Sequence, residues 1–454
     1  MNKEQTELNE SYSDASKLDW FDQKRLSHLK ALLVGVHKGP EEERQAQEHL
    51  DELKLLAETY GIPVIEKLAI SMRTFTAKTF LSQGKLIELK EAVDQFQAEL
   101  VIFDDDISPA QQRNLESFLR VPVIDRSEVI LGVFADRART KEAKLQVELA
   151  QVKYVAPRLK RMWTHFSKQT GGGGGSGGGG YLKGAGEKQI EVDRRLLKKR
   201  QDVLKKQLDT ISSTRLTQRG QRERSEIPIF AIVGYTNAGK STLMKALTQA
   251  DVFIEDKLFA TLDTTTRKFS LPDNQEVLLI DTVGFIRKLP HLLVMSFRST
   301  LEEAVQADIL IHMIDCSNPS ALHQAETTLQ VLKELNAGDK PVITLLNKFD
   351  LLNEGEAEPH LTEVAQKLKL TYPRAIEFSA KNSMGVERLV QEMQRILKEK
   401  RVRMQLSIPQ SDYHKVSEAM REGKVFSTEY EENNVILDVE LPRLLANRFD
   451  KYKI

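Results

Sequence analysis

The chain has 454 residues, a length that suggests about three domains. Lys plus Arg and Asp plus Glu both number 66, so the total charge marks no polycation, and any nucleic-acid role must rest on charge segregated along the sequence. The single cysteine, Cys316, excludes a disulfide framework and any multi-cysteine zinc or iron–sulfur centre.

No apolar run approaches the ~20 residues that span a bilayer. The opening MNKEQTELNESYSD is polar and lacks the apolar stretch of a secretion signal, so a soluble cytoplasmic protein is expected. Residues 1–26 read as a flexible N-terminus. From Lys30 to about Ala138, β-rich runs alternate with helical patterns. ALLVGVH (31–37) predicts a strand and 40–60 a helix. IPVIEKLAI (62–70) is apolar, and the stretch after Gln83 is helical. ELVIFDD (99–105), SPAQQRNLESFL (108–119) and VPVIDR (121–126) continue the alternation. This is the pattern of a small parallel sheet, and 27–138 is expected to be an α/β subdomain.

From Leu145 the apolar residues fall at 145, 149, 152, 156 and 159, a coiled-coil spacing, and Pro157 should end that helix. Ile190, Leu197, Leu204 and Ile211 then recur every seven residues. Two such arms predict an antiparallel helical hairpin over 139–225, with a glycine-rich tip at 170–186. Residues 151–224 hold 18 Lys/Arg against 6 Asp/Glu, a net +12, which leaves −12 for the remainder. Such a projecting basic hairpin suits a polyanion, although solvated helix faces also carry Lys and Arg. The tip, TGGGGGSGGGGYLKGAG, has the composition of a flexible linker. Its place between basic arms, beside Trp163, His165 and Lys183, favours a functional loop that brings backbone close to a phosphate or base.

Residues 226–400 alternate strand and helix again. The strand IPIFAIV (227–233) runs into GYTNAGKST: Gly234, Tyr235, Thr236, Asn237, Ala238, Gly239, Lys240, Ser241 and Thr242. This is the phosphate-binding loop G-x-x-x-x-G-K-[ST] in its required strand–loop–helix setting. Its N–H groups face phosphates, Lys240 neutralises the β and γ phosphates, and the Ser241 hydroxyl ligates Mg²⁺. VLLIDTVGF (277–285) ends in Asp281, Thr282, Val283 and Gly284. Asp281 can hold Mg²⁺ through water, and the Gly284 N–H can reach the γ-phosphate. PVITLLNKFD (341–350) supplies Asn347, Lys348 and Asp350, whose carboxylate can accept two hydrogen bonds from guanine that adenine cannot donate. AIEFSAK (375–381) supplies Ser379, Ala380 and Lys381, with the Ala380 N–H for the guanine O6. Four motifs in this order predict a GTPase that uses Mg²⁺ and GTP.

A threonine in LFATLDTTTRKF (258–269) should complete the Mg²⁺ shell when the γ-phosphate is present. Thr264, Thr265 and Thr266 are all candidates. The residue after Gly284 is Phe285, where Ras-like enzymes place, there or nearby, a water-orienting glutamine. Hydrolysis should therefore be slow until a partner or second ion completes the site. Arg287 and His291 are the nearby polar groups, each more readily read as part of a solvated loop. Asn237 stands where potassium-dependent GTPases carry Asn, so a K⁺ ion beside the phosphates is a further expectation. After Arg403, MQLSIP (404–409), a helix over 411–422, KVFSTEYEE and NVILDVEL predict a small α+β domain over 401–454.

These motifs, with DDDISPAQQRNLE (104–116), VIDRSEVILGVFADRARTKEAKLQVELAQVKY (123–154), PRLKRMW (157–163), GAGEKQIEVDRR (184–195) and DTVGFIRKLP, resemble the HflX family of bacterial ribosome-associated GTPases over nearly the whole chain. The resemblance implies binding to the 50S subunit, with the helical region and glycine-rich loop directed toward the peptidyl-transferase centre of 23S rRNA. It also implies splitting of 70S ribosomes in the GTP state and hydrolysis stimulated by the ribosome. A GTP-gated 50S-binding role in assembly or antibiotic protection, without splitting, is the alternative. Two departures stand out. The loop is expanded to nine glycines and one serine, and Thr264 replaces the family's usual Pro, which by that alignment makes Thr265 the Mg²⁺ threonine. The expected catalytic set is Lys240, Thr265 and Gly284, in a protein expected to be a monomer.

Overall fold

The computed structural model describes residues 26–159, 181–223, 227–248, 258–259, 261–288, 305–353, 359–399, 401–431 and 433–454. The first layer begins with β1 (Ala31–His37), whose alternate side chains are buried on both faces. A strand covered on both sides must be apolar throughout, which explains the continuous run ALLV. Helix α1 (Pro40–Tyr60) starts with Pro40 and three glutamates in its first turn and stops at Gly61, whose φ of 89° is left-handed. Proline presets the first turn, the acids meet the positive helix end, and glycine accepts the αL terminus without a Cβ clash. Its Leu50, Leu53, Leu56, Ala57 and Tyr60 are buried.

β2 (Val64–Ser71), α2 (Gln83–Gln95), β3 (Leu100–Phe103), α3 (Pro109–Leu119), β4 (Val123–Asp125) and α4 (Arg126–Arg137) follow. The strands form a parallel sheet in the order β2-β1-β3-β4. Ser108 and Gln111 close a reciprocal cap on α3, and the Asp125 carboxylate caps α4 by accepting from Glu128 N–H at 2.9 Å.

Helix α5 (Lys141–Val155) is capped by Thr140 and ends in the short turn Ala156–Arg158, which holds Pro157. Helix α6 (Tyr181–Glu223) packs against it. Leu145, Leu149 and Leu204 form the seam, flanked by Val152, Leu208 and Ile211, and Leu197 joins Val155 and Leu159 in the adjoining core. Two sequence expectations need correction. Tyr181 to Gly186 belong to α6 rather than to the tip loop: a helix already propagating adds one hydrogen bond per residue, which outweighs about 1 kcal/mol for each of Gly184 and Gly186. Arg200, one of the basic residues of a hairpin expected to suit a polyanion, instead forks onto Glu148 of the other arm at 2.6 and 2.8 Å. Its neighbours Lys198 and Lys199 are exposed. The run 170–180, Trp163 and His165 lie outside the described residues, as do residues 1–25, which the sequence leads one to expect flexible.

The second sheet has the order β10-β9-β8-β5-β7-β6. It comprises β5 (Ile229–Gly234), β6 (Thr265–Ser270), β7 (Glu276–Asp281), β8 (Ile309–Asp315), β9 (Val342–Asn347) and β10 (Ile376–Glu377). All pairs are parallel except the edge pair β6–β7. Helices α7 (Lys240–Thr248), α8 (Ala321–Glu334), α9 (Asp350–Asn353), α10 (Pro359–Thr371) and α11 (Val386–Glu399) complete this unit. The last unit is an antiparallel sheet, β11 (Arg401–Pro409), β13 (Asn434–Pro442) and β12 (Lys424–Tyr430) in that order, covered by α12 (Tyr413–Glu422) and α13 (Arg443–Phe449). The terminal α13 was not foreseen; its Leu445, Ala446 and Phe449 close that core. No described helix is long and apolar enough to cross a membrane.

Candidate nucleotide-binding site

The loop after β5 turns through Asn237 (φ 59°) and Gly239 (φ 96°), both in the left-handed region. Glycine takes that conformation without strain, and Asn is among the few side chains that tolerate it. The turn delivers Lys240 to the first position of α7, and its ammonium donates to the Tyr235 carbonyl at 2.7 Å. Burial pushes the Lys240 amine down to about 8, against the pull of Asp281. A buried cation with one neutral acceptor is a prepared phosphate contact.

Ser241 Oγ donates to Asp281 Oδ2 at 2.7 Å and lies 2.7 Å from Thr261 Oγ1. Burial raises the Asp281 carboxyl above its usual range, against Lys240 and the hydroxyls of Ser241 and Thr261. Its Oδ1 has no partner among the described residues. An all-oxygen set with a spare buried carboxylate oxygen fits a hard divalent cation such as Mg²⁺. Thr261, which sequence reasoning did not single out, touches Ser241. The candidates Thr264–Thr266 lie just beyond, with Thr265 opening β6 directly opposite Asp281 in the ladder.

Asn347 ties the base motifs together. Its amide donates to the Ala238 carbonyl at 2.7 Å, and its Oδ1 accepts from Ala380 N–H at 2.9 Å. Lys348 pairs with Asp315 at 2.7 Å. Phe349 N–H bonds Phe378 O, and Phe378 N–H bonds Leu346 O, so Asp350 and the Ser379–Lys381 turn are held side by side. Thr282 Oγ1 donates to the Ile232 carbonyl at 2.7 Å, fixing the third motif to β5.

That third motif lies against the P-loop. Thr236 N–H donates to Phe285 O at 2.7 Å and Phe285 N–H to Gly234 O at 3.0 Å. Gly284 is so close that a Cβ would stand 2.8 Å from Thr236 Cα and 2.9 Å from Lys240 Nζ. The Phe285 side chain is buried in the core shared with the first sheet, where it can orient no water. Val283 is buried in the same core.

Arg287 corrects the expectation of a solvated loop: it is buried, and its Nη2 donates to both oxygens of Asp104 at 2.9 Å. The reason is a second charged layer behind the P-loop. Arg126, at the start of α4, bonds Asp104 Oδ1 at 3.0 Å and pairs with Glu52 Oε2 at 3.0 Å. Lys288 bonds Asp104 at 3.1 Å and pairs with Asp105. Tyr235 Oη donates to Glu52 Oε1 at 2.6 Å and accepts from Arg287 N–H at 2.7 Å. His49 lines the adjoining cavity of about 250 Å³ with Thr236 and Asn237, and burial together with Arg287 pushes it down to about 3, so its ring stays neutral. Asp263, in the second-motif loop, accepts from the N–H groups of Arg139 and Thr140 at 3.0 and 3.1 Å and from Thr140 Oγ1 at 2.6 Å. Both loops that would meet a γ-phosphate are thus fastened to the N-terminal half. His291 lies outside the described residues.

Comparison with known proteins agrees with this geometry. Residues 47–135 match the model of the GTP-binding GTPase N-terminal region, 137–222 the GTP-binding GTPase middle region, and 229–348 the 50S ribosome-binding GTPase domain. The chain is 46% identical over 424 residues to the GTPase HflX of Akkermansia muciniphila, covering 93% of this chain and 96% of the relative. It is 44% identical over 420 residues to that of Chlamydia pneumoniae, covering 92% and 87%. The chain belongs to the HflX GTPase family. The Escherichia coli member is 40% identical over 361 residues, covering 80% of this chain and 81% of that protein. The family is one of GTP-hydrolysing enzymes, and the sequence motifs described above converge here at the strand ends of one sheet, where ligand sites of open α/β sheets lie.

Proposed function

We propose that this protein binds the 50S subunit in its GTP state, contacts 23S rRNA through the basic hairpin and its glycine tip, and splits 70S ribosomes. The observation that carries this reading is the direct attachment of the basic arm to the nucleotide site. Helix α6 ends at Glu223 and the P-loop strand begins at Ile229, while the base of α5 grips Asp263 in the second-motif loop. Nucleotide state and hairpin therefore share fixed points. The ribosome supplies what Phe285 cannot, so hydrolysis is slow alone. We assign the same four units as in the sequence, with limits near 27–138, 139–225, 226–400 and 401–454, in a monomeric cytoplasmic protein.

In this reading Gly234–Thr242 cradle the phosphates, and Asn347, Lys348, Asp350, Ser379, Ala380 and Lys381 hold guanine. Ser241 and Asp281 would hold Mg²⁺, which would offset the charge of the phosphate oxygens. Two threonines compete for the remaining ligand position. Thr261 already touches Ser241, while Thr265 faces Asp281 across the ladder. Thr261→Ala should raise the Mg²⁺ concentration needed for half-maximal GTP turnover by about tenfold, the worth of one ligand interaction of about 1.4 kcal/mol. Thr265→Ala should change it less. The reverse order in a magnesium titration would make Thr265 the ligand. Asn237 is assigned to a K⁺ ion, and equal turnover in sodium and potassium buffers would remove that assignment.

Sedimentation of 70S ribosomes with the protein and a non-hydrolysable GTP analogue tests the main reading. Conversion of 70S to 30S plus 50S supports splitting, whereas co-sedimentation with intact 70S or with 50S alone replaces it by the assembly or protection role. Binding should weaken steeply with salt, because phosphate contacts release counterions. Deleting Gly171 to Gly180 should leave basal GTPase intact and abolish ribosome stimulation.

A further inference from the structure

The loop 72–82 joins β2 to α2 at the carboxyl ends of the N-terminal strands, where Met72 N–H donates to His37 O at 2.8 Å. Ligands of open parallel sheets bind outside those strand ends. The loop presents Phe75, whose surface is 51% exposed. One exposed phenylalanine needs no explanation, but this one is built into place. Its ring lies 4.8 Å from that of Phe80, which meets the fully buried Phe103 edge-on at 5.9 Å. An aromatic stack thus leads from the core to the surface. Phe80 takes a left-handed backbone (φ 64°), a strained conformation for a bulky residue. Its surroundings hold it there. Thr76 and Phe80 exchange both backbone hydrogen bonds at 3.0 Å, and the hydroxyls of Thr76 and Thr79 donate to Leu81 O at 2.8 Å. From α3, the amides of Gln111 and Asn114 donate to Thr76 O and Lys78 O at 3.1 and 2.6 Å.

The charge around this ring has one sign. Residues 71–87 contain Arg73, Lys78 and Lys85 and no acid. Lys85 pairs with Glu88. Arg73 and Lys78 are exposed and make no ion pair among the described residues, nor does Arg113, exposed on α3 between Gln111 and Asn114. The acids at this end of the sheet are already engaged: Asp104 and Asp105 by the cations described above, and Asp106 by the Ser127 hydroxyl. We propose that Phe75 is a stacking platform for an unpaired RNA base, with Arg73, Lys78 and Arg113 holding the adjoining phosphates. A flat ring backed by a second ring, rather than a pocket, takes a planar partner. Every base offers a π-face, free cations release counterions from phosphates, and a preformed loop loses little entropy on binding. The arm of the hairpin comes close by: Arg158, at the end of α5, donates to Gln112 of α3 at 3.1 Å. Helix α3 therefore borders both the loop and the basic arm, and one RNA strand can follow the two.

This inference shares with the proposed function only an RNA partner, and 70S sedimentation tests that function separately. The test here uses the full chain and a fluorescent oligouridylate of about ten nucleotides, with an RNA duplex of equal length as control. Phe75→Ala should weaken single-strand binding about tenfold, the equivalent of one stacked base, and leave duplex binding within roughly twofold. Phe75→Trp should bind at least as tightly as wild type. Its added emission should be quenched by the oligouridylate beyond any change from Trp20 and Trp163 in wild type. Arg73→Gln and Lys78→Gln should each flatten the slope of log affinity against log salt by about 0.7, whereas Phe75→Ala should leave that slope unchanged. Basal GTP turnover, equal to wild type in every variant, reports an intact fold. Equal single-strand affinity of wild type and Phe75→Ala, an unquenched Phe75→Trp variant, or equal losses on single strand and duplex would overturn the proposal. So would weaker binding to whole 50S subunits with no change on the oligouridylate, which would give the surface to a ribosomal protein.

Discussion

Arg126→Ala should lower the stability of the folded chain by about 3–5 kcal/mol, the largest effect expected of any substitution outside the nucleotide contacts. Arg126 is 1% exposed and neutralises both Glu52 and Asp104. Its removal takes the nearer guanidinium from Glu52 and one of three cations from Asp104, and both carboxylates are largely buried. The sign of the pH dependence follows from Asp104. Burial alone would push its carboxyl up, but Arg126, Arg287 and Lys288 outweigh burial and hold it well below the usual carboxylate range. A group depressed on folding contributes stability that is complete above its unfolded value, about 4, and is lost as pH falls below it. Urea unfolding of wild type and variant should therefore differ most at neutral pH and converge in acid. A variant as stable as wild type at pH 7 would mean that the cluster reorganises around water.

Asp350→Asn should weaken GTP binding by about 2–4 kcal/mol, roughly 30- to 1000-fold, and turn preference toward xanthine nucleotides. Asp350 is a double acceptor at the end of the NKFD segment, held against the Ser379 turn by the backbone bonds of Phe349 and Phe378. An amide offers one acceptor and one donor, and the donor opposes a donor on guanine. Xanthine carries an acceptor there, so the mismatch reverses. Unchanged GTP affinity, with no gain for xanthosine triphosphate, would remove Asp350 from base recognition.

What the sequence revealed and what it hid divide by the range of the interactions. The limits of β1 and α1 were legible because Pro40, the acidic first turn and Gly61 are local signals. The P-loop was legible because phosphate binding needs its residues within one turn of chain. Arg287 was misread because its partner, Asp104, lies 183 residues earlier, and no periodicity links them; a charged residue after a motif looks solvated until the fold brings its counter-charge. Thr261 was passed over for a more visible reason. Three consecutive threonines at 264–266 draw attention, while the fold places Thr265 and Thr266 on an edge strand and Thr261 beside Ser241. The start of α6 was misplaced because glycine content was weighed without the cooperativity of the long helix that follows it.

The length of α6 bears on how the molecule meets other charges. Forty-three helical residues extend about 65 Å at 1.5 Å each. That helix carries 12 Lys/Arg and 6 Asp/Glu. Under cellular ionic conditions the field of a charge fades within a Debye length of about 8 Å. The rod is several such lengths long, so acidic groups elsewhere on the chain cannot cancel it along its whole extent. A protein with zero formal charge then acts at close range as an elongated dipole. Approach to a polyanion is selected by orientation, arm first, and an isoelectric point near neutrality gives no measure of that attraction.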